Sequence, residues 1–112
     1  MEFVYNPKTG VPSKVIADVK RKISNMVYSV NVFKVGSTGD YDQRFKYYER
    51  KGYDKMCIVY ETSSLKYMGT IESELNAYYK DWETNINYNK GSGGPAPSKQ
   101  VEKYYVYVVI QY

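Results

Sequence analysis

The segment from Val32 to Arg44, Val-Phe-Lys-Val-Gly-Ser-Thr-Gly-Asp-Tyr-Asp-Gln-Arg, decides the fold that we predict for this chain. Its first residues are mostly apolar and β-favouring, which predicts a strand. Residues 36–39 predict a loop, because glycines and hydroxyl residues permit tight turns and leave backbone N–H groups open. Asp40 is a good N-cap for the helix that we expect to follow.

Arg44 would lie one turn into this helix, close to the predicted loop. A cation, open amides and a helix N-terminus then converge, which is a recurring way of binding an anion such as a phosphate. The alternative is an ordinary connection between a strand and a capped helix, because short glycine-bearing loops are weakly diagnostic.

Composition narrows the functions that the chain can perform. Its 112 residues predict a single domain, and the fifteen tyrosines suit either a half-buried surface that stacks on bases or a surface that packs on a partner. A net charge of +4 favours an acidic partner. Because the chain has no histidine, a histidine base, a histidine metal ligand and a Ser-His-Asp triad are all excluded.

Cysteine usage and hydropathy indicate the compartment. The single cysteine, Cys57, lies in an apolar run, so neither a disulfide framework nor a zinc site is predicted. We also predict neither a signal peptide nor a membrane span, because residues 1–12 carry charges, Pro and Gly, and the apolar runs are short. We therefore expect an intracellular protein, in the cytoplasm or the nucleus, with no membrane partner.

The flanking sequence predicts alternating strands and helices. The pattern of apolar residues and turn residues predicts strands over 1–5, 26–35, 55–62 and 104–112, helices over 13–24, 41–50 and 65–82, and a flexible loop over 91–98. The terminal strand is so apolar that it must pair inside a sheet. The predicted fold class is α/β of the α+β type, with a small, mainly antiparallel sheet of three to four strands flanked by helices.

Phe33-Lys34-Val35-Gly36, with Arg44 eight residues after the glycine, resembles the second half of the signature of the GIY-YIG nuclease superfamily. In that family a strand ending in Tyr-Ile-Gly, often Lys-Ile-Gly, leads into a helix that carries an Arg, and a later helix supplies a metal-binding Glu. Glu72 falls at the position of that Glu, and the family's Asn matches Asn85 or Asn87. The resemblance covers roughly residues 26–94.

The resemblance implies a divalent-metal-dependent endonuclease that cleaves DNA. Glu72 would hold Mg²⁺ or Mn²⁺, whose other positions would be filled by water and substrate oxygens. Arg44 would stabilise the phosphate charge that develops in the reaction. The residues that would bind the substrate are Lys34, Gly36, Ser37, Thr38 and either Asn85 or Asn87.

The sequence departs from the family where the first half of the signature should stand. A Gly-Ile-Tyr strand is expected upstream, joined through a hairpin, but residues 29–33 contain no Gly or Pro that would make one. Tyr28 would then share a strand with Gly36. The missing strand is replaced either by residues 2–5 or by the terminal strand, which we prefer, so the tyrosine that assists the nucleophile is Tyr28, Tyr107 or Tyr5.

Each candidate residue has a structural alternative. Glu72 could be a solvated helix residue, and Arg44 could simply pair with Asp40 or Glu61. The whole chain could likewise be a nucleic-acid-binding module of this fold that does not cut, or a tyrosine-rich protein-interaction domain. Because one domain offers little for choosing a target sequence, a partner protein or a homo-oligomer could supply target selection.

Overall fold

The computed structural model describes residues 1–85 and 102–112, which form one four-stranded sheet and three helices. The elements are β1 Glu2–Lys8, α1 Pro12–Val27, β2 Val32–Thr38, α2 Tyr41–Arg50, β3 Lys55–Thr62, α3 Leu65–Tyr78 and β4 Tyr104–Gln111. The strand order is β1-β3-β4-β2, with β1 parallel to β3 and the other two pairings antiparallel. The predicted α+β class with a mainly antiparallel sheet is confirmed.

Strand β4 lies inside the sheet, between β2 and β3. Val106 to Ile110 are fully buried, which is typical of a strand covered on both faces. The prediction that the terminal strand pairs inside a sheet is therefore confirmed. One of its two antiparallel partners is β2, so β4 occupies the place beside Gly36 for which the preceding sequence offered no strand.

The two faces of the sheet are covered by different helices. Helices α1 and α3 pack on one face, where α1 contributes Val19, Ile23 and Val27 at four-residue spacing. Helix α2 covers the other face, where Tyr48 packs with Ile58 and Tyr107. Both faces of the two central strands are therefore buried.

The strand predicted from residue 26 begins later than expected. Met26 and Val27 belong to α1, because Val27 continues the apolar stripe of that helix and is buried with it. Tyr28 is the C-cap of α1 and is 82% exposed, so the placement of Tyr28 on the strand of Gly36 was wrong. Strand β2 starts at Val32, after a turn.

The predicted loop at residues 36–39 is also corrected. Gly36, Ser37 and Thr38 belong to β2 and pair with Tyr107, Val106 and Tyr105 of β4. An apolar partner strand was available, so these residues extend the sheet instead of leaving their amides open. Only residues 39–40 connect β2 to α2.

The remaining bounds agree closely with the sequence, and the flexible loop predicted over 91–98 lies outside the described residues. Helix α2 and strand β3 have the predicted limits, and Asp40 caps α2 by accepting a hydrogen bond from the Gln43 amide at 3.2 Å. Helix α3 ends at Tyr78, four residues before the predicted end at residue 82. Strand β1 continues beyond the predicted residue 5 and through Pro7, which is tolerated because β1 is an edge strand. In the described part of the chain, no helix has the length and apolar character needed to cross a membrane.

Candidate active site

The centre of the candidate site is the contact between Gly36 and Tyr107. These residues face each other on β2 and β4, and the Tyr107 ring lies over the glycine. A Cβ atom at residue 36 would lie 2.5 Å from the Tyr107 hydroxyl and 2.6 Å from its ring carbon Cζ. Glycine at this position is therefore required by the ring, and the ring in turn fills the space that the glycine leaves.

Tyr107 contacts Tyr48 and is affected by the charges of two candidate residues, Arg44 and Glu72. Its hydroxyl lies 3.4 Å from the hydroxyl of Tyr48, which comes from α2. Burial raises the pKa of Tyr107 well above its ordinary value, and Tyr48 and the negative charge of Glu72 raise it further, while Arg44 lowers it. The charges of Arg44 and Glu72 therefore both act on Tyr107, Arg44 from α2 on the same face of the sheet and Glu72 from α3, which covers the opposite face.

Glu72 is buried rather than solvated. It lies on the inner face of α3 with 9% of its surface exposed, and the Ser37 hydroxyl donates a hydrogen bond of 2.8 Å to its Oε1 atom. This contact joins α3 to the end of β2, one residue after Gly36. The carboxylate is thus held at the end of β2 on the face covered by α3, whereas Tyr107 packs with α2 on the other face.

Arg44 lies in the first turns of α2, where Asp40 holds the start of the helix. The Asp40 amide donates to the Thr38 hydroxyl at 2.9 Å, and this hydroxyl donates back to the Asp40 carbonyl at 3.1 Å. Within residues 1–85 and 102–112, no ion pair includes Arg44, so neither Asp40 nor Glu61 pairs with it there. Its side chain is half-buried, and its charge lowers the pKa values of Tyr48 and Tyr107.

Lys34 lies on the α2-facing side of β2, two residues before Gly36. Its Nζ atom is 5.8 Å from the centre of the Tyr48 ring, a cation–π contact. Partial burial lowers the pKa of Lys34 from its ordinary value of 10.5, and the charges of Arg44 and Lys51 lower it further. The lysine is therefore placed where its positive charge is unfavourable unless an anion is nearby.

Replacing Lys34 with methionine is expected to stabilise the protein. Because the folded-state pKa is lowered, the ammonium destabilises the fold at neutral pH, and this cost disappears as the pH rises towards 10.5. Lys34→Met should therefore raise the free energy of unfolding by only roughly 0.5 kcal/mol at pH 7, because solvent screens this partly exposed charge, and by less at pH 10. Denaturant unfolding at the two pH values measures the difference; a loss of stability at pH 7 would contradict it.

Two predicted residues are not brought to this site. Tyr28 precedes β2, whereas Gly36 lies near the other end of that strand, so the structure does not support Tyr28 as the tyrosine that assists the nucleophile. Asn85 is buried, donates its side-chain amide to the Tyr79 carbonyl at 2.8 Å and bridges to Phe33. Its contacts join the segment after α3 to the N-terminal part of β2. Asn87 lies outside the described residues.

Tyr48 was missed by the sequence analysis. It is buried on α2. Its hydroxyl lies 3.4 Å from the Tyr107 hydroxyl, and the Lys34 ammonium lies over its ring. Burial is the largest of the effects that raise the pKa of Tyr48. The signal was present, because Tyr48 lies four residues after Arg44 and thus on the same face of the helix. The alternative Tyr5 is 48% exposed and contacts Tyr41, on the β1 side of the sheet.

The donor atoms fit the divalent metal that the resemblance implies. Glu72 and Ser37 present carboxylate and hydroxyl oxygens, the type of ligand that Mg²⁺ and Mn²⁺ prefer. Among the described residues, no three His, Cys, Asp or Glu side chains come together as a metal-binding group. Glu72 would therefore be the one anchoring carboxylate, which is compatible with Mg²⁺ because this ion keeps several waters.

Comparison of this chain with protein-family models, curated proteins and solved structures found no match. The likeness to the GIY-YIG nucleases therefore rests on the residues quoted above and on their arrangement.

Proposed function

We propose that this chain is a divalent-metal-dependent endonuclease of the GIY-YIG type that cleaves phosphodiester bonds of DNA. The observation that carries the proposal is the grouping at the end of β2, where the Tyr107 ring lies over Gly36, the next residue Ser37 bonds to Glu72, and the charge of Arg44 acts on Tyr107. These residues are far apart in sequence and come from different elements. A carboxylate, a guanidinium and a tyrosine around the end of one strand are the kinds of group that metal-assisted phosphodiester hydrolysis needs.

Each group has a defined task in this proposal. Arg44 binds the scissile phosphate and stabilises the charge that develops on it. A divalent ion at Glu72, when bound, supplies a Lewis acid for the phosphate and the leaving oxygen. Because burial raises the pKa values of Tyr48 and Tyr107, both phenols stay protonated near neutral pH and act as hydrogen-bonding groups that orient water or phosphate oxygens.

A nucleic-acid-binding module that does not cut is the second candidate. The observation that favours it is the enclosure of the reacting groups, because Tyr107 is fully buried and Glu72 is 9% exposed. Binding through Arg44 and Lys34 needs no access to either group. The two functions therefore make different predictions for a cleavage assay.

Arg44→Ala is expected to slow the nicking of supercoiled plasmid in Mg²⁺ by at least about 100-fold, because one charge-stabilising donor is lost. Lys46→Ala is the matched control, since Lys46 lies two positions further along α2, faces away and pairs with Asp42 at 3.4 Å. It should nick at the wild-type rate. Thermal unfolding of both variants checks that the fold is retained.

Three outcomes separate the candidates. Nicking by the wild type that is lost in Arg44→Ala and retained in Lys46→Ala supports the nuclease. Salt-dependent DNA binding without any nicking, in either Mg²⁺ or Mn²⁺, supports the binding module. A wild-type chain that neither binds nor nicks DNA contradicts both.

A further inference from the structure

Helix α2 carries a second cation on the face that bears Arg44. Lys51 follows Arg44 by seven residues and remains in helical conformation as the C-cap of α2. Seven residues correspond to about two turns, so the two side chains leave the same face of the helix about 10 Å apart along its axis. This spacing suits two successive phosphates of one strand better than a single phosphate.

Lys34 connects the two cations across the groove between β2 and α2. Its charge interacts with both Arg44 and Lys51, and the charged groups that act on it are these two cations. Lys34 lies over the ring of Tyr48, Lys51 lies 5.4 Å from the ring centre of Tyr47, and the two rings are 5.0 Å apart. The Tyr47 and Tyr48 rings thus lie beside a row of three cations, Arg44, Lys34 and Lys51.

The acidic side chains of α2 do not neutralise this row. The helix contains two carboxylates, of which Asp42 pairs with Lys46, and Glu49 pairs with the N-terminal amine of Met1 at 3.0 Å. Three like charges with no carboxylate between them repel one another, and a polyanion relieves that repulsion. The row therefore has the electrostatic character of a binding site for successive phosphates.

We propose that Lys51, together with Lys34, binds the phosphate that flanks the scissile phosphate on the same strand. This inference rests on the proposed nuclease function, in which Arg44 binds the scissile phosphate. Lys51 is then a positioning residue, since it holds the strand and does not touch the reacting atoms. The substrate class is narrowed accordingly to an internal phosphodiester of a polynucleotide strand, with a charged phosphate on the side of the α2 C-terminus.

The test compares Lys51→Gln with Lys46→Gln in the full chain. Lys51→Gln should weaken the binding of a DNA duplex about 5- to 10-fold and reduce the salt dependence of binding by about one phosphate contact. Its KM for cleavage should rise while kcat stays unchanged. Lys46→Gln should match the wild type in all three measurements, because Lys46 faces away from the row.

A modified substrate locates the contact. Once the cleaved bond has been mapped, a methylphosphonate in place of one flanking phosphate removes a single charge from the strand. At the flanking position held by Lys51, this change should weaken binding to the wild type and leave binding to Lys51→Gln unaffected. The same modification at the opposite flank should weaken both proteins equally.

The outcomes distinguish this inference from the function on which it rests. Wild-type nicking with equal behaviour of the Lys51 and Lys46 variants overturns the inference and leaves the nuclease intact. A fall in kcat with unchanged KM also overturns it, because Lys51 would then act on the reaction. Binding without nicking overturns the nuclease. In that case the difference in salt dependence of DNA binding between the wild type and Lys51→Gln still decides whether Lys51 contacts a phosphate. A wild-type chain that binds no DNA overturns both.

Discussion

Replacing Gly36 with alanine is expected to destabilise the protein by about 1–3 kcal/mol and to abolish any cleavage. The added methyl group would collide with the Tyr107 hydroxyl and ring carbons, which lie 2.5–3.0 Å from its position. Tyr107 cannot turn aside cheaply, because it is fully buried against Tyr48. Any rearrangement that relieves the collision also moves the Tyr107 hydroxyl away from that of Tyr48.

Gly69→Ala is the matched control for this substitution. Gly69 lies within α3, and a Cβ atom there would meet no neighbouring atom within 4 Å. Alanine favours a helix over glycine, so the variant should gain roughly 0.5–1 kcal/mol. Denaturant unfolding of both variants measures the contrast. A Gly36→Ala protein as stable as the wild type would contradict the close packing of Tyr107 over Gly36.

The sequence predicted most of the fold because its local signals agreed with the tertiary structure. Strand β3 and helix α2 kept their predicted bounds, since Asp40 caps the helix and Gly52 ends it with a φ of +88° that suits glycine. The buried position of β4 followed from its composition. These features depend on neighbouring residues, which a single sequence displays directly.

The errors arose where distant contacts decide between two local preferences. Val27 has a β-branched side chain that favours a strand, but its burial with Val19 and Ile23 keeps it in α1. Gly36 to Thr38 have the composition of a loop, but β4, nearly 70 residues later in the chain, pairs with them. Spacing along the chain carries no information about such pairings.

The residues of the candidate site, too, could be predicted only in part. Arg44, Glu72 and Gly36 could be named from spacing, because the resemblance supplied the pattern. The role of Tyr107 could only be offered as one of three alternatives, since no local signal places β4 beside β2. Tyr48 was overlooked because a tyrosine on a helix that packs on a sheet resembles an ordinary core residue, and only the structure shows its hydroxyl meeting that of Tyr107.

Replacing Glu72 with glutamine is expected to reduce metal-dependent nicking by roughly 100- to 1000-fold while preserving the fold. Glutamine has the same shape, and its amide oxygen can accept the hydrogen bond that the Ser37 hydroxyl donates to Glu72 Oε1. The substitution removes the negative charge that would bind the divalent ion. It therefore separates the structural role of Glu72 from its proposed role in metal binding.

Glu74→Gln provides the comparison, because Glu74 lies two positions away on the exposed side of α3 and pairs with Lys20 at 3.5 Å. It should nick at the wild-type rate. A second readout does not depend on activity: Mg²⁺ or Mn²⁺ should raise the thermal midpoint of the wild type and of Glu74→Gln but not that of Glu72→Gln, because a ligand stabilises only the state that binds it. If both ions stabilise Glu72→Gln as much as the wild type, the metal does not bind at Glu72, and the buried carboxylate serves only to join α3 to β2 through Ser37.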